Sequence, residues 1–175
     1  GVMATKQEKI LRVREPKRTL ENGRKPASFL RWVGGKRQVL PALKQRLPKS
    51  FRTFYEPMVG SGALFFSLEP ERAVLGDLNH ELITCYRVLR DRVERLVERL
   101  AGLENTYETF IHVRGLDERG LDEVERAART IYLNRTCFNG LYRVNRDGRF
   151  NVPYGRSPHV KVCDGLSPTV ATVTR

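Results

Sequence analysis

The sequence predicts an α/β fold, and three observations predict it. A short aromatic strand, a glycine turn, a helix, a second strand and an acidic residue follow one another over residues 52–77. A long stretch with a 3.6-residue apolar period comes next, and two extended runs flank an Asp-Gly pair at Asp147. The alternation of strand and helix is the front half of a doubly wound nucleotide-binding sheet. The rest of such a sheet cannot be read from the chain, so an incomplete sheet is expected.

Each element has its own justification. Residues 1–28 mix charges with Pro16, Gly23 and Pro26 and sustain no period, which reads as a basic flexible arm. A short helix fits 39–47, a strand 52–56, a glycine turn 59–62, and the first turns of a helix Ala63–Leu68. A second strand over Arg72–Gly76 ends at Asp77. Leu82, Ile83, Tyr86, Leu89, Val93, Leu96, Val97 and Leu100 then fall on one helical stripe, with Asn79 placed as its N-cap. Asp122 and Glu125 have capping-box spacing at the start of a helix through Val124, Ala128, Ile131 and Tyr132. Runs 141–144 and 149–152 around Asn145-Arg146-Asp147-Gly148 predict a β-hairpin.

Composition narrows the function. A chain of 175 residues, 40% hydrophobic, can bury one core. Its net charge of +12 usually meets a polyanion, and nucleic acid is the leading partner. The charge is uneven: residues 1–28 carry 8 basic and 3 acidic side chains, and residues 135–175 carry 7 and 2. Two phosphate-facing segments around a nearly neutral middle are expected. Cys85, Cys137 and Cys163 form no Cys-x-x-Cys pair, so neither a disulfide framework nor a zinc or other metal site is indicated. No apolar run has the length of a membrane span, and a cytoplasmic, nucleic-acid-associated protein is expected.

The glycine turn, Glu56-Pro57-Met58-Val59-Gly60-Ser61-Gly62, chooses between cofactors. Glycines let a ligand approach the backbone, and Asp77 one strand away can accept hydrogen bonds from both hydroxyls of a ribose. A dinucleotide site would need a small residue where Phe65 stands. A phosphate-binding P-loop is excluded because Gly34-Gly35-Lys36 runs into Arg37 with no earlier glycine at the required place. An adenosyl ligand without phosphates remains. Further on, Arg143, Arg146 and Arg149 interleave with Phe138, Tyr142, Phe150 and Tyr154, offering charges to phosphates and flat faces to bases. Plainer readings stand beside these: Trp32 as a core anchor, Asp77 as a helix cap, Lys36 as a surface charge, and the hairpin as a solvated edge.

Taken together, Phe29-Leu30-Arg31-Trp32-Val33-Gly34-Gly35-Lys36, Glu56-Pro57-x-x-Gly60-x-Gly62, Asp77-x-Asn79, Asn139-Gly140-Leu141-Tyr142-Arg143 and Phe150-Asn151-Val152-Pro153-Tyr154-Gly155 resemble the motifs of Dam-family DNA adenine-N6 methyltransferases, in that family's order. The resemblance covers about residues 28–156 and departs at Met58, where the family commonly has Phe. It implies a Rossmann-like S-adenosylmethionine-dependent methyltransferase fold with a helical and β-hairpin DNA-recognition region. It also implies four parts: the arm 1–28, a cofactor-binding part 29–101, a target-recognition region 102–160 and an irregular tail 161–175. Trp32 and Lys36 would contact the methionine and adenosyl parts of S-adenosylmethionine, Gly60 and Gly62 would line its pocket, and Asp77 would hold its ribose. Gly34, Gly35, Glu56, Pro57 and Asn79 belong to the same motifs.

On the DNA side the resemblance implies a double-stranded GATC-like target. Arg143 would read guanine, Leu141 and Pro153 would touch thymine, and Phe138 and Asn139 would sit beside the gap left by a flipped adenine. Arg146, Arg149 and Tyr154 complete the expected DNA face. The family orients the adenine amine with an acidic or amide residue followed by Pro-Pro and an aromatic, and no two of the nine prolines here are adjacent. No catalytic residue is therefore expected in this chain. It reads as a truncated or split form whose missing motif belongs to a carboxy-terminal half, or as a DNA-binding module without chemistry.

Overall fold

The computed structural model describes residues 10–14, 28–157, 160, 162, 163 and 166. A three-stranded sheet stands against a layer of helices. Its strands are β1 (Ile10–Arg14), β2 (Phe54–Glu56) and β3 (Arg72–Gly76), in spatial order β1-β3-β2. β2 and β3 are parallel, with Phe54 opposite Ala73 and Glu56 opposite Leu75. They are joined by helix α2 (Ala63–Leu68), the crossover that a parallel pair requires. This strand–helix–strand unit and the boundaries of α2 and β3 are those the sequence predicts. One parallel pair is present among the described residues, not the wider doubly wound sheet.

β1 corrects the reading of residues 1–28. Ile10–Arg14 pairs antiparallel with β3, from Ile10 opposite Gly76 to Arg14 opposite Arg72. Ile10, Leu11 and Val13 suit a strand, but a five-residue run inside a charged stretch is too short to declare itself, and the pairing is fixed by the edge of β3 far along the chain. Apart from Ser28, the other residues of the expected arm and most of the expected tail lie outside the described residues.

A second correction concerns the long helix over 82–100. It is two helices, α3 (His80–Asp91) and α4 (Val93–Ala101), broken at Arg92, where φ is −143° and ψ is 38°. The break lets Leu96 and Leu100 reach the core beside the last long helix while Leu82, Ile83, Tyr86 and Leu89 face it from α3. That central helix is α6 (Glu123–Thr136), preceded by α5 (Tyr107–Gly115); α1 (Leu40–Arg46) follows a 3-10 turn at Lys36–Val39. α3, α4 and α5 all pack on α6.

Local chemistry sets the helix starts. Asn79 accepts the Leu82 N–H at 2.9 Å, and Asp122 and Glu125 form the reciprocal capping box. Gly62 ends the glycine turn at φ 73°, and a Cβ there would stand 2.5 Å from the Tyr86 hydroxyl and 2.7 Å from the Phe66 ring, so the turn admits only glycine. No helix among the described residues is long and apolar enough to cross a membrane.

The predicted hairpin is present in reduced form. A single bridge, Val144 to Phe150, replaces the two strands, flanked by Asn145 N–H to Arg149 C=O at 2.9 Å and Asn151 N–H to Arg143 C=O at 3.1 Å. A second bridge joins Cys137 to Tyr154 and closes the base of the loop. Positive φ at Asn139 and Gly140 turns the outgoing arm, and burial of Phe150 and Val152 pulls the returning arm onto the core, so the two run side by side only briefly.

Candidate functional site

The glycine turn and the end of β3 meet at one point. Val59 N–H bonds to the Gly76 carbonyl at 2.8 Å, which brings Gly60 beside Asp77. The Asp77 carboxylate then accepts the Gly60 N–H on one oxygen and the Asn79 N–H on the other, both at 3.0 Å. Each oxygen keeps a second lone pair, the arrangement needed to take two vicinal hydroxyls. The Tyr86 hydroxyl holds the Gly60 carbonyl from below at 3.0 Å.

A loop from Ser28 to Gly35 covers this turn. Ser28 Oγ donates to the Ser61 carbonyl at 2.6 Å, and Gly35 N–H closes a turn on the Trp32 carbonyl at 3.2 Å. The turn passes through Gly34 at φ 76°. Gly60 comes so close to Trp32 that a Cβ on it would stand 3.4 Å from the indole Cδ1. Lys36 lies 3.0 Å from Glu56 Oε1 and also donates to the Met58 carbonyl. Glu56 is only 4% exposed. Burial pushes its pKa up, and the Lys36 ammonium and the Phe65 N–H oppose that rise. Glu56 and Lys36 thus brace the underside of the turn, with Pro57 exposed on its outer side.

The structure therefore gathers Trp32, Gly34, Gly35, Lys36, Glu56, Gly60, Gly62, Asp77 and Asn79 around the carboxy-terminal ends of β2 and β3. Within this group Asn79 spends its side-chain oxygen on the α3 cap. Two further residues stand at the same rim: Leu78, 85% exposed, which the sequence reading passed over, follows Asp77, and Met58, 68% exposed, which it noted as the departure from the family pattern, precedes Gly60 by two positions. Bare apolar side chains of that size beside a polar turn are the signal that exposes them.

The segment from Phe138 to Tyr154 sits across a cleft from this group. Phe138 is exposed and its N–H bonds to the Pro153 carbonyl at 2.9 Å. Asn139, Arg143, Arg146, Arg149 and Pro153 are exposed, and Leu141 is half-buried. Arg143 is held in place: Nε donates to Asn151 Oδ1 at 2.8 Å and one Nη2 proton reaches the Asn151 carbonyl at 3.4 Å. Tyr154 is placed elsewhere than on the expected DNA face. Its hydroxyl bonds to Asn105 O and Oδ1 at 3.1 and 3.0 Å, and its ring packs on Tyr107 and Phe110. The interleaving of aromatics with arginines did not reveal which ring turns inward.

Between the two groups lies a cleft of about 990 Å³. Trp32, Gly35 and Ser61 line it on one side and Phe138, Asn139 and Arg135 on the other. Asn134 and Asn151 support this geometry and were not anticipated, although a fully buried amide within the apolar register of α6 is itself a sign of a built contact.

With this geometry in view, the sequence matches the family described as D12 class N6 adenine-specific DNA methyltransferase over residues 32–162. The chain belongs to that family. It is 48% identical over 142 residues to the type II methyltransferase M1.LlaDCHI of Lactococcus lactis subsp. cremoris, covering 78% of this chain and 50% of that protein. It is 40% identical over 157 residues to the type II methyltransferase M.MjaIII of Methanocaldococcus jannaschii, with 78% and 54% covered. To the DNA adenine methylase of Escherichia coli K12 it is 36% identical over 137 residues, with 76% and 49% covered. The chain spans about half the length of these curated relatives. The matched residues 32–162 of this D12-class chain hold both the glycine turn with Asp77 and the segment around Arg143, and most of the cleft between them, whose remaining lining comes from Ser28 to Arg31.

Proposed function

We propose that this chain is the donor-binding and DNA-reading part of a site-specific DNA adenine-N6 methyltransferase that uses S-adenosylmethionine and acts in GATC-like duplex DNA. The observation that carries the reading is the Asp77 carboxylate, fixed by two backbone N–H groups against a glycine turn and left with lone pairs for a ribose. The residues fit the cofactor: Gly60 leaves the space in front of the Trp32 ring clear, Gly62 lets the turn close down on Tyr86 and Phe66, and Leu78 and Met58 offer apolar surface to an adenine ring. Bound there, the cofactor supplies an electrophilic methyl group on sulfur. Trp32 and Lys36 close its other side, and β2, α2 and β3 form the front of a Rossmann-like sheet.

The cleft beside Trp32 accommodates a base turned out of the duplex, with Phe138 and Asn139 at its DNA-facing lip. Arg143, with Leu141 and Pro153 near it, reads the flanking bases, and Arg146 and Arg149 meet phosphates. The amine-orienting acidic-Pro-Pro-aromatic motif is absent from these 175 residues. By itself the chain therefore holds both ligands without transferring the methyl group. A carboxy-terminal half that carries the motif would complete the site by pairing with β2, whose second edge is unpaired among the described residues.

Calorimetric titration of S-adenosylmethionine into the chain tests the donor site. Binding should be weak but measurable, and Asp77→Ala should abolish it while leaving the circular dichroism unchanged. Equal affinity in Asp77→Ala would remove the ribose assignment.

A further inference from the structure

The donor loop and the recognition segment are joined through residues that the roles above do not use. Asn134, fully buried, accepts the Arg31 N–H at 2.9 Å and donates to the carbonyls of Arg31 at 2.8 Å and Gly140 at 2.9 Å. Gly140 presses on the same residue, since a Cβ there would stand 2.5 Å from Arg31 Cδ. One position beyond Arg31 and two beyond Gly140, Trp32 and Tyr142 stack, with ring centroids 4.9 Å apart and planes 27° apart. Trp32 also lies over Gly60 of the glycine turn, where an added Cβ would come into van der Waals contact with its ring. Tyr142 is half-buried and immediately precedes Arg143. A path thus runs from Arg143 through the stacked Tyr142 and Trp32 rings to the space in front of Gly60.

We propose that Tyr142 is a positioning residue that couples duplex engagement at Arg143 to cofactor engagement at Trp32, so that each ligand raises the affinity of the chain for the other. The inference rests on the assignment of Trp32 and Asp77 to the cofactor and of Arg143 to the duplex. Its physical basis is ordering. When Arg143 is fixed on a base, the backbone of Tyr142 is fixed with it, and a close-packed ring pair has few arrangements open to it. Trp32 is then already oriented when the cofactor arrives, and the ordering is not repeated. Linkage makes the effect reciprocal, and coupling of this kind is commonly of order fivefold to a hundredfold. The stack, not the hydroxyl, carries it, because it is the rings that join the two segments.

The test is calorimetric titration of S-adenosylmethionine into the full chain, free and saturated with a short GATC duplex. The parent chain should bind the cofactor about tenfold more tightly in the presence of duplex. Tyr142→Phe should keep that enhancement. Tyr142→Leu, which preserves bulk without the ring, should abolish it while each ligand alone binds within about threefold of the parent, and Trp32 emission, the only tryptophan signal, should shift as the stack is lost. Tyr142→Ala provides a second stack-free variant. An undiminished enhancement in Tyr142→Leu, or no enhancement in the parent, overturns the coupling while leaving both ligand sites standing. A parent chain that binds no cofactor at all overturns the donor-site reading, and the coupling with it.

Discussion

Asn134→Ala should destabilise the chain by about 3 kcal/mol, because it removes three hydrogen bonds at a fully buried position and leaves the Arg31 N–H and two carbonyls without partners. For a chain of this size that lowers the Tm by roughly 6–12 °C. The near-isosteric Asn134→Asp should be at least as damaging at neutral pH. It puts a carboxylate oxygen where the amide nitrogen now donates to the carbonyls of Arg31 and Gly140, and a buried charge facing acceptors is costly. Thermal melts followed by circular dichroism check both. A tolerated Asn134→Asp would mean that the amide does not bridge α6, the donor loop and the recognition segment.

Arg143→Ala is expected to lower discrimination for GATC over unrelated duplexes by roughly 1–3 kcal/mol, about fivefold to 150-fold. Asn151 occupies the Nε edge of the guanidinium, through Nε and one Nη2 proton. The outer edge, Nη1 with the second Nη2 proton, remains for the two acceptors of guanine, and Asn151 has already fixed its direction. Asn151→Ala should weaken discrimination less, since the fork survives but loses its support. Competition binding at two salt concentrations separates the cases: equal losses on every sequence, with a reduced salt slope, would make Arg143 a phosphate contact.

The features legible in the sequence were those with short-range causes. The glycine turn, α2, β3, the Asn79 cap and the Asp122–Glu125 capping box depend on residues within a few positions of one another, and their limits can be read directly. β1 was not legible because its strand character comes from β3, some sixty positions away. The break at Arg92 was hidden because apolar spacing continues across it, and α5 because its buried face is little more than Phe110 and Val113. In the site, the same contrast holds. The glycine turn and Asp77 announce themselves by residue type, whereas Asn134, Tyr142 and Asn151 act through contacts that only the folded chain creates, and Tyr154 turns inward because Asn105 and Phe110 await it.

We propose that this chain holds donor and duplex but does not orient the amine. Trp32, Lys36, Gly60, Gly62 and Asp77 form one set and Phe138, Asn139 and Arg143 the other, and neither aligns the adenine nitrogen with the methyl group. Positioning supplies much of the rate in such a transfer, so its absence should remove detectable turnover. The decisive measurement is a labelled-methyl assay on GATC duplex, with the chain alone and with a co-refolded carboxy-terminal half carrying the acidic-Pro-Pro-aromatic motif. No transfer by the chain alone and transfer by the mixture is the predicted result; turnover by the chain alone would contradict the account.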